Sequence, residues 1–138
     1  MKTTPNARMN TAVWMLLAFL GFTSSLPAET IQLYFDSTTP QIAFAADDIK
    51  VALEKQKHTV QTRGLAALTK AEADKKIILA LATDQAVASQ LAAQGGKPAS
   101  GLGEQAYALR TTSKPDLSYW ALGGDANGAM YGGFQIAE

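Results

Sequence analysis

The chain reads as a small mixed domain, α+β or α/β. It should form a two-layer or three-layer sandwich on a mixed sheet of about five strands with about three helices, in the order β-α-β-β-α-β-β-α. Three observations predict this. Apolar runs of strand length alternate with stretches of helical periodicity. One run, Lys76 to Ala82 (KIILALA), is apolar at consecutive positions, the pattern of a strand covered on both faces. The last twenty residues, Tyr119 to Glu138, read as a strand, a glycine turn and a glycine-rich helix.

Taken in order, Ile31 to Phe35 (IQLYF) is the first strand. Ser37-Thr38-Thr39-Pro40 opens a helix, with hydroxyl caps and a proline in the first turn. That helix runs to about Gln56, with Ile42, Ala45, Ala46, Ile49 and Leu53 as its apolar stripe. His58 to Arg63 is a short strand at a sheet edge, and Leu65 to Asp74 a loop with a turn of helix. After the KIILALA strand, Thr83 or Asp84 caps a second helix that runs through Ala93 and stops at Gly95-Gly96. Lys97 to Glu104 is a loop. Gln105 to Thr111 and Leu117 to Leu122 are strands, joined as a hairpin by the turn Ser113-Lys114-Pro115-Asp116.

In the closing segment Tyr119-Trp120-Ala121-Leu122 is the strand, Gly123-Gly124 the break and Asp125 the N-cap. Ala126, Ala129, Met130, Gly133, Phe134 and Ala137 fall on one helical face. Gly128, Gly132 and Gly133 each disfavour a helix interior by roughly 0.8–1 kcal/mol relative to alanine. Close approach to a sheet, which only small residues permit, is the expected compensation.

Residues 1–28 have the form of a secretory signal, leaving 29–138 as one small domain of about 110 residues. Lys2 and Arg8 make the positive region and Ala12 to Phe22 the apolar core, with cleavage expected after Ala28. The core is 11 residues long, against about 20 for a membrane span, so no stable span is expected once the signal is cleaved. The chain has no cysteine, which excludes disulfides and a lipidated cysteine. Export without disulfides fits a bacterial periplasm or exterior. The remaining 10 basic and 12 acidic groups give a net charge near −2 and no basic stripe, so no nucleic-acid partner is expected.

Motifs that carry chemistry are scarce. Gly101-Leu102-Gly103-Glu104-Gln105-Ala106 fits G-x-G-x-x-A, but a dinucleotide site needs a strand before it and a helix after it. Here a loop precedes and a strand follows. His58, the only histidine, is expected at the solvated surface. Asp47-Asp48 is the only adjacent acidic pair. Neighbours on a helix diverge by about 100°, so the two do not form an acid–base dyad. No nucleophile elbow is present. Tyr119 and Trp120 alternate on the last strand, so one can face a sugar ring while the other joins the core. No catalytic, cofactor-binding or metal-binding residue is assigned, and no cofactor is expected.

Several segments together carry a resemblance: Ala45-Ala46-Asp47-Asp48-Ile49, Ile77-Ile78-Leu79-Ala80, Gly103-Glu104-Gln105-Ala106-Tyr107-Ala108-Leu109, and Gly123 to Gly132 (GGDANGAMYG). Over residues 30–138 the chain resembles the N-terminal accessory α/β domain of exported bacterial glycoside hydrolases, the β-N-acetylhexosaminidases and α-glucuronidases. In those families this domain precedes a catalytic (β/α)₈ barrel that holds the glycoside-cleaving acids. Gly128, Ala129, Tyr131 and Gly132 match the family motif as structural positions. The barrel is missing, the sequence stopping at Glu138 within or at the end of the connecting helix, as in a truncated reading frame or a fragmentary gene. The resemblance therefore implies a non-catalytic domain that supports a barrel in carbohydrate degradation, not an enzyme in itself. The alternatives are an independent periplasmic carbohydrate-binding module and a protein-interaction module.

Overall fold

The computed structural model describes residues 27–70 and 75–138. The expected signal segment, apart from its last two residues, and the stretch 71–74 lie outside the described residues. The described chain forms one five-stranded sheet with strand order β2-β1-β3-β5-β4. The elements are β1 (Thr30–Phe35), α1 (Pro40–Lys55), β2 (Thr59–Gly64), a 3₁₀ helix (Leu65–Lys70), β3 (Lys75–Leu81), α2 (Gln85–Ala93), β4 (Tyr107–Thr112), β5 (Leu117–Gly123) and α3 (Ala126–Ala137). β2, β1, β3 and β5 run parallel, and β4 pairs antiparallel with β5 as the outer arm of the expected hairpin.

The sheet is the middle of three layers, because successive strand residues point to opposite faces. On one face Ile31, Leu33, Ile77, Leu79 and Ala121 meet Ile42, Ala45, Ala46 and Ile49 of α1 and Ala129 of α3. On the other, Tyr34, Ile78, Ala80, Trp120 and Leu122 meet Leu68 of the 3₁₀ helix and Val87 and Leu91 of α2. Ile77 to Ala80 are all at most 4% exposed. Their unbroken apolar run thus follows from burial on two faces in a central parallel strand.

Polar groups on the α2 side are joined in chains. The buried Trp120 indole N–H donates to Thr112 Oγ1 at 3.0 Å, and that hydroxyl donates to Gln94 Oε1 at 2.9 Å. Gln32 donates to Gln61 at 2.8 Å and accepts from Arg63 at 3.1 Å. Lys76, whose side chain is 5% exposed, pairs with Asp116 of the hairpin turn at 3.4 Å. Along β4 the Arg110 guanidinium donates to the carbonyls of Lys97, Leu109 and Pro98.

Helix α3 is docked as its composition demands, with a buried face of Gly128, Ala129, Gly132 and Gly133. A side chain at Gly132 would meet Ala121 Cβ and Tyr107, both at 3.2 Å, so there the sheet is the neighbour. At Gly133 it would meet Ala45 Cβ of α1 at 2.8 Å and Leu79 at 3.2 Å. At Gly128 it would fall on the backbone carbonyl of Ala106. Close approach to the sheet thus explains only part of the glycine content; a neighbouring helix and a loop account for the rest.

Local differences from the sequence expectations have physical causes. Thr39 occupies the N-cap of α1 without capping it; its hydroxyl donates instead to Asp36 Oδ2 at 2.9 Å. Gln105 does not begin β4. It sits in a turn at φ 58°, its N–H held by Asp125 Oδ2 at 3.1 Å, and β4 starts at Tyr107. Of the two candidate caps for α2, Asp84 serves, accepting from the Val87 N–H at 3.1 Å.

Candidate functional site

Two hollows in the fold merit comparison. The first lies where parallel strands conventionally bind ligands, outside their carboxyl ends at the point where strand order reverses. Here that point falls between β1 and β3. The crevice holds about 230 Å³ and is bordered by Asp36, Thr39, Thr83 and Asp84. Its carboxylates are already committed to their own loops. Asp36 Oδ1 accepts the Thr38 hydroxyl at 2.6 Å and the Thr38 N–H at 2.9 Å, while Oδ2 takes the Thr39 hydroxyl. These bonds, the Thr38 hydroxyl foremost, hold Asp36 below the usual aspartate range. Such a carboxylate stays ionised at neutral pH and does not serve as a general acid.

The second hollow is at the other end of the sheet, where β1, β3 and β5 begin and α1 and α3 end. It holds about 400 Å³. Ile31, Ile77, Leu109 and Tyr119 face it from the sheet, and Leu53 and Ile136 from the helices. Leu109 and Tyr119 are 42% and 41% exposed, large apolar surfaces left uncovered beside α3. Glu29, His58, Lys75, Lys76 and Gln135 supply its polar lining.

These polar groups are mutually arranged. The Lys75 ammonium pairs with the Glu29 carboxylate, and that hydrogen bond is the main reason the Glu29 carboxyl is held below its ordinary value. His58 Nδ1 accepts the Glu29 backbone N–H at 3.4 Å. In the neutral ring the proton therefore sits on Nε2. His58 is a partly exposed surface residue at the rim of this cleft, and only the fold brings it beside Glu29, 29 residues away in sequence.

The remaining sequence candidates are placed as follows. Asp47 and Asp48 are exposed on α1. Gly101 to Ala106 is a loop followed by strand β4, not helix, so the nucleotide geometry is absent there. The loop packs instead on the β5–α3 turn: Gly124 N–H donates to Ala106 O at 2.9 Å, and Asp125 holds both Gln105 and Gly128 through their N–H groups. Trp120 is fully buried and Tyr119 exposed, so of the two aromatics only Tyr119 is available to a ligand. Among the described residues no group of three or more His, Cys, Asp or Glu side chains is arranged to hold a metal ion. Among them, too, no helix is long and apolar enough to cross a membrane.

Glu29, Lys75 and Leu109 carry no sequence signal as site residues, since the lining of the cleft comes from six different elements. No family model matches this chain, and neither does any curated protein or solved structure in the comparisons made.

Proposed function

We propose that the chain is a non-catalytic accessory domain of an exported bacterial glycoside hydrolase, acting on the periplasmic or external side by supporting a (β/α)₈ catalytic domain. The resemblance over residues 30–138 supplies the kind of partner. The observation that carries the reading is the apolar outer side of the helical layer. Phe44 of α1 is 58% exposed, Val51 is 49% exposed, and Tyr131 of α3 is 41% exposed. Phe44 and Val51 are two turns apart on one stripe, and the Phe44 ring meets Phe134 of α3 edge-on with centroids 5.8 Å apart. A surface of this kind is suited to being covered by another domain. The committed carboxylates of the crevice agree with a supporting role.

The test uses the purified chain with nitrophenyl β-N-acetylhexosaminides and glucuronides. The expected result is no release of nitrophenol. Added to a hexosaminidase-type or glucuronidase-type barrel stripped of its own N-terminal domain, the chain should raise the barrel's thermal midpoint. The rise should be lost on Phe44→Ser with Tyr131→Ser. Turnover by the chain alone, or no response from either type of barrel, overturns the reading.

A further inference from the structure

We infer that the cleft between the amino ends of β1, β3 and β5 and the carboxyl ends of α1 and α3 is a binding site for a small amphiphile, a hydrocarbon body ending in a carboxylate. The inference does not depend on the accessory-domain reading, whose contact surface lies on the outer side of the helices. Size is the first argument. A hollow of about 400 Å³ falls within the roughly 300–1,000 Å³ of small-molecule sites.

The lining decides the chemistry. Ile31, Leu53, Ile77, Leu109 and Ile136 surround a single aromatic, Tyr119. A pyranose carries a hydroxyl on most of its carbons, and each would give up water against an aliphatic wall without a replacement partner. A methylene chain loses nothing there and gains by leaving water. The polar end of the cleft then selects the head group. His58 presents Nε2–H, because its Nδ1 is taken by the Glu29 N–H. The Lys75 ammonium has three protons, and Glu29 takes one. Both are donors and suit the oxygens of a carboxylate, the like charge of Glu29 beside them being offset by its pairing with Lys75.

The experiment is an amide-resolved NMR titration of the ¹⁵N-labelled chain with hexanoate, octanoate and decanoate, with decanol and N,N′-diacetylchitobiose as comparisons. Shifts should concentrate at Ile31, Ile77, Leu109, Tyr119 and Ile136. Affinity should rise about fourfold per added methylene while the cleft has room. Decanoate should bind at least tenfold more tightly than decanol, and Lys75→Met with His58→Ala should abolish that preference. Leu109→Glu, a change at a half-exposed edge-strand position, should weaken decanoate at least tenfold and leave the spectrum folded. Shifts scattered outside the cleft, no dependence on chain length, or equal binding of decanol and decanoate would overturn the proposal. Binding of the chitobiose derivative at lower concentration than decanoate would also overturn it, and would return Tyr119 to a sugar-stacking role. None of these outcomes bears on whether a barrel is stabilised, so the two readings fail separately.

Discussion

Replacing Gly128, Gly132 and Gly133 by alanine, one at a time, sets two opposing effects against each other. Alanine favours a helix interior over glycine by about 0.8–1 kcal/mol. A methyl group forced into a close-packed contact costs about 1–3 kcal/mol. At Gly132 the new methyl would stand 3.2 Å from Ala121 Cβ and from the ring of Tyr107, which lies on the outer strand and can tilt. The effects should nearly cancel there, leaving the variant within about 0.5 kcal/mol of the parent. At Gly133 the neighbour at 2.8 Å is Ala45 Cβ, fixed to α1, so the two helices must part. A net loss of about 1 kcal/mol is expected. At Gly128 the methyl would land on the Ala106 carbonyl oxygen, a backbone atom held by the Gly124 N–H. The loss should be largest, about 2 kcal/mol or more, or roughly 8 °C in Tm at about 4 °C per kcal/mol for a domain of this size. Urea titrations followed by far-UV circular dichroism and by fluorescence of the buried Trp120 measure all three. The ranking Gly128, Gly133, Gly132 is the test. If all three substitutions stabilise by about 1 kcal/mol, α3 does not dock as described and the account of its glycines fails.

Three further outcomes follow from the polar chains and the hairpin. Thr112→Val keeps the shape but leaves the Trp120 indole N–H without an acceptor, and should cost about 1–3 kcal/mol in urea unfolding; Thr112→Ser should recover most of it. Trp120→Ala should cost about 3–5 kcal/mol by emptying the core, whereas Tyr119→Ser at an exposed site should stay within about 1 kcal/mol, a contrast that thermal melts resolve. Asp125 is held below its ordinary value of 3.8, chiefly by the Gly128 N–H and then by the Gln105 N–H. Because the folded value is the lower one, its contribution is complete above pH 3.8 and lost as pH falls below it. Asp125→Asn should therefore lower Tm at pH 7 and flatten the acid limb of a plot of Tm against pH, the two curves converging at low pH, and an unchanged acid limb would count against the assigned contacts.

How much of this could be read from the sequence depended on how local the cause was. The run Ile77 to Ala80 announced its own burial, because a parallel strand covered on two faces has no polar positions to spare. Asp125 announced the start of α3, because an N-cap acts on an N–H three residues ahead. Gly128 was conspicuous, but its partner, the Ala106 carbonyl, is brought in by the hairpin and has no sequence signature. The burial of Lys76 likewise depends on Asp116, 40 residues later. Thr39 shows the limit of propensity: a residue suited to capping sits at the cap position, yet the nearby Asp36 takes its hydroxyl. The cleft was the least legible feature. His58 stood out by being alone, but its tautomer and neighbours appear only when β1 is laid beside β2.

The reach of Arg110 along the outermost strand has a bearing on solubility. An unguarded margin of a sheet offers carbonyls and amides to any extended chain that drifts past. By spending its guanidinium on the oxygens of Leu109, Lys97 and Pro98, this side chain occupies one carbonyl of the edge strand, that of Leu109, and ties the loop at 97–98 to it. An edge strand whose outward carbonyl is already taken is a poorer template for a second strand.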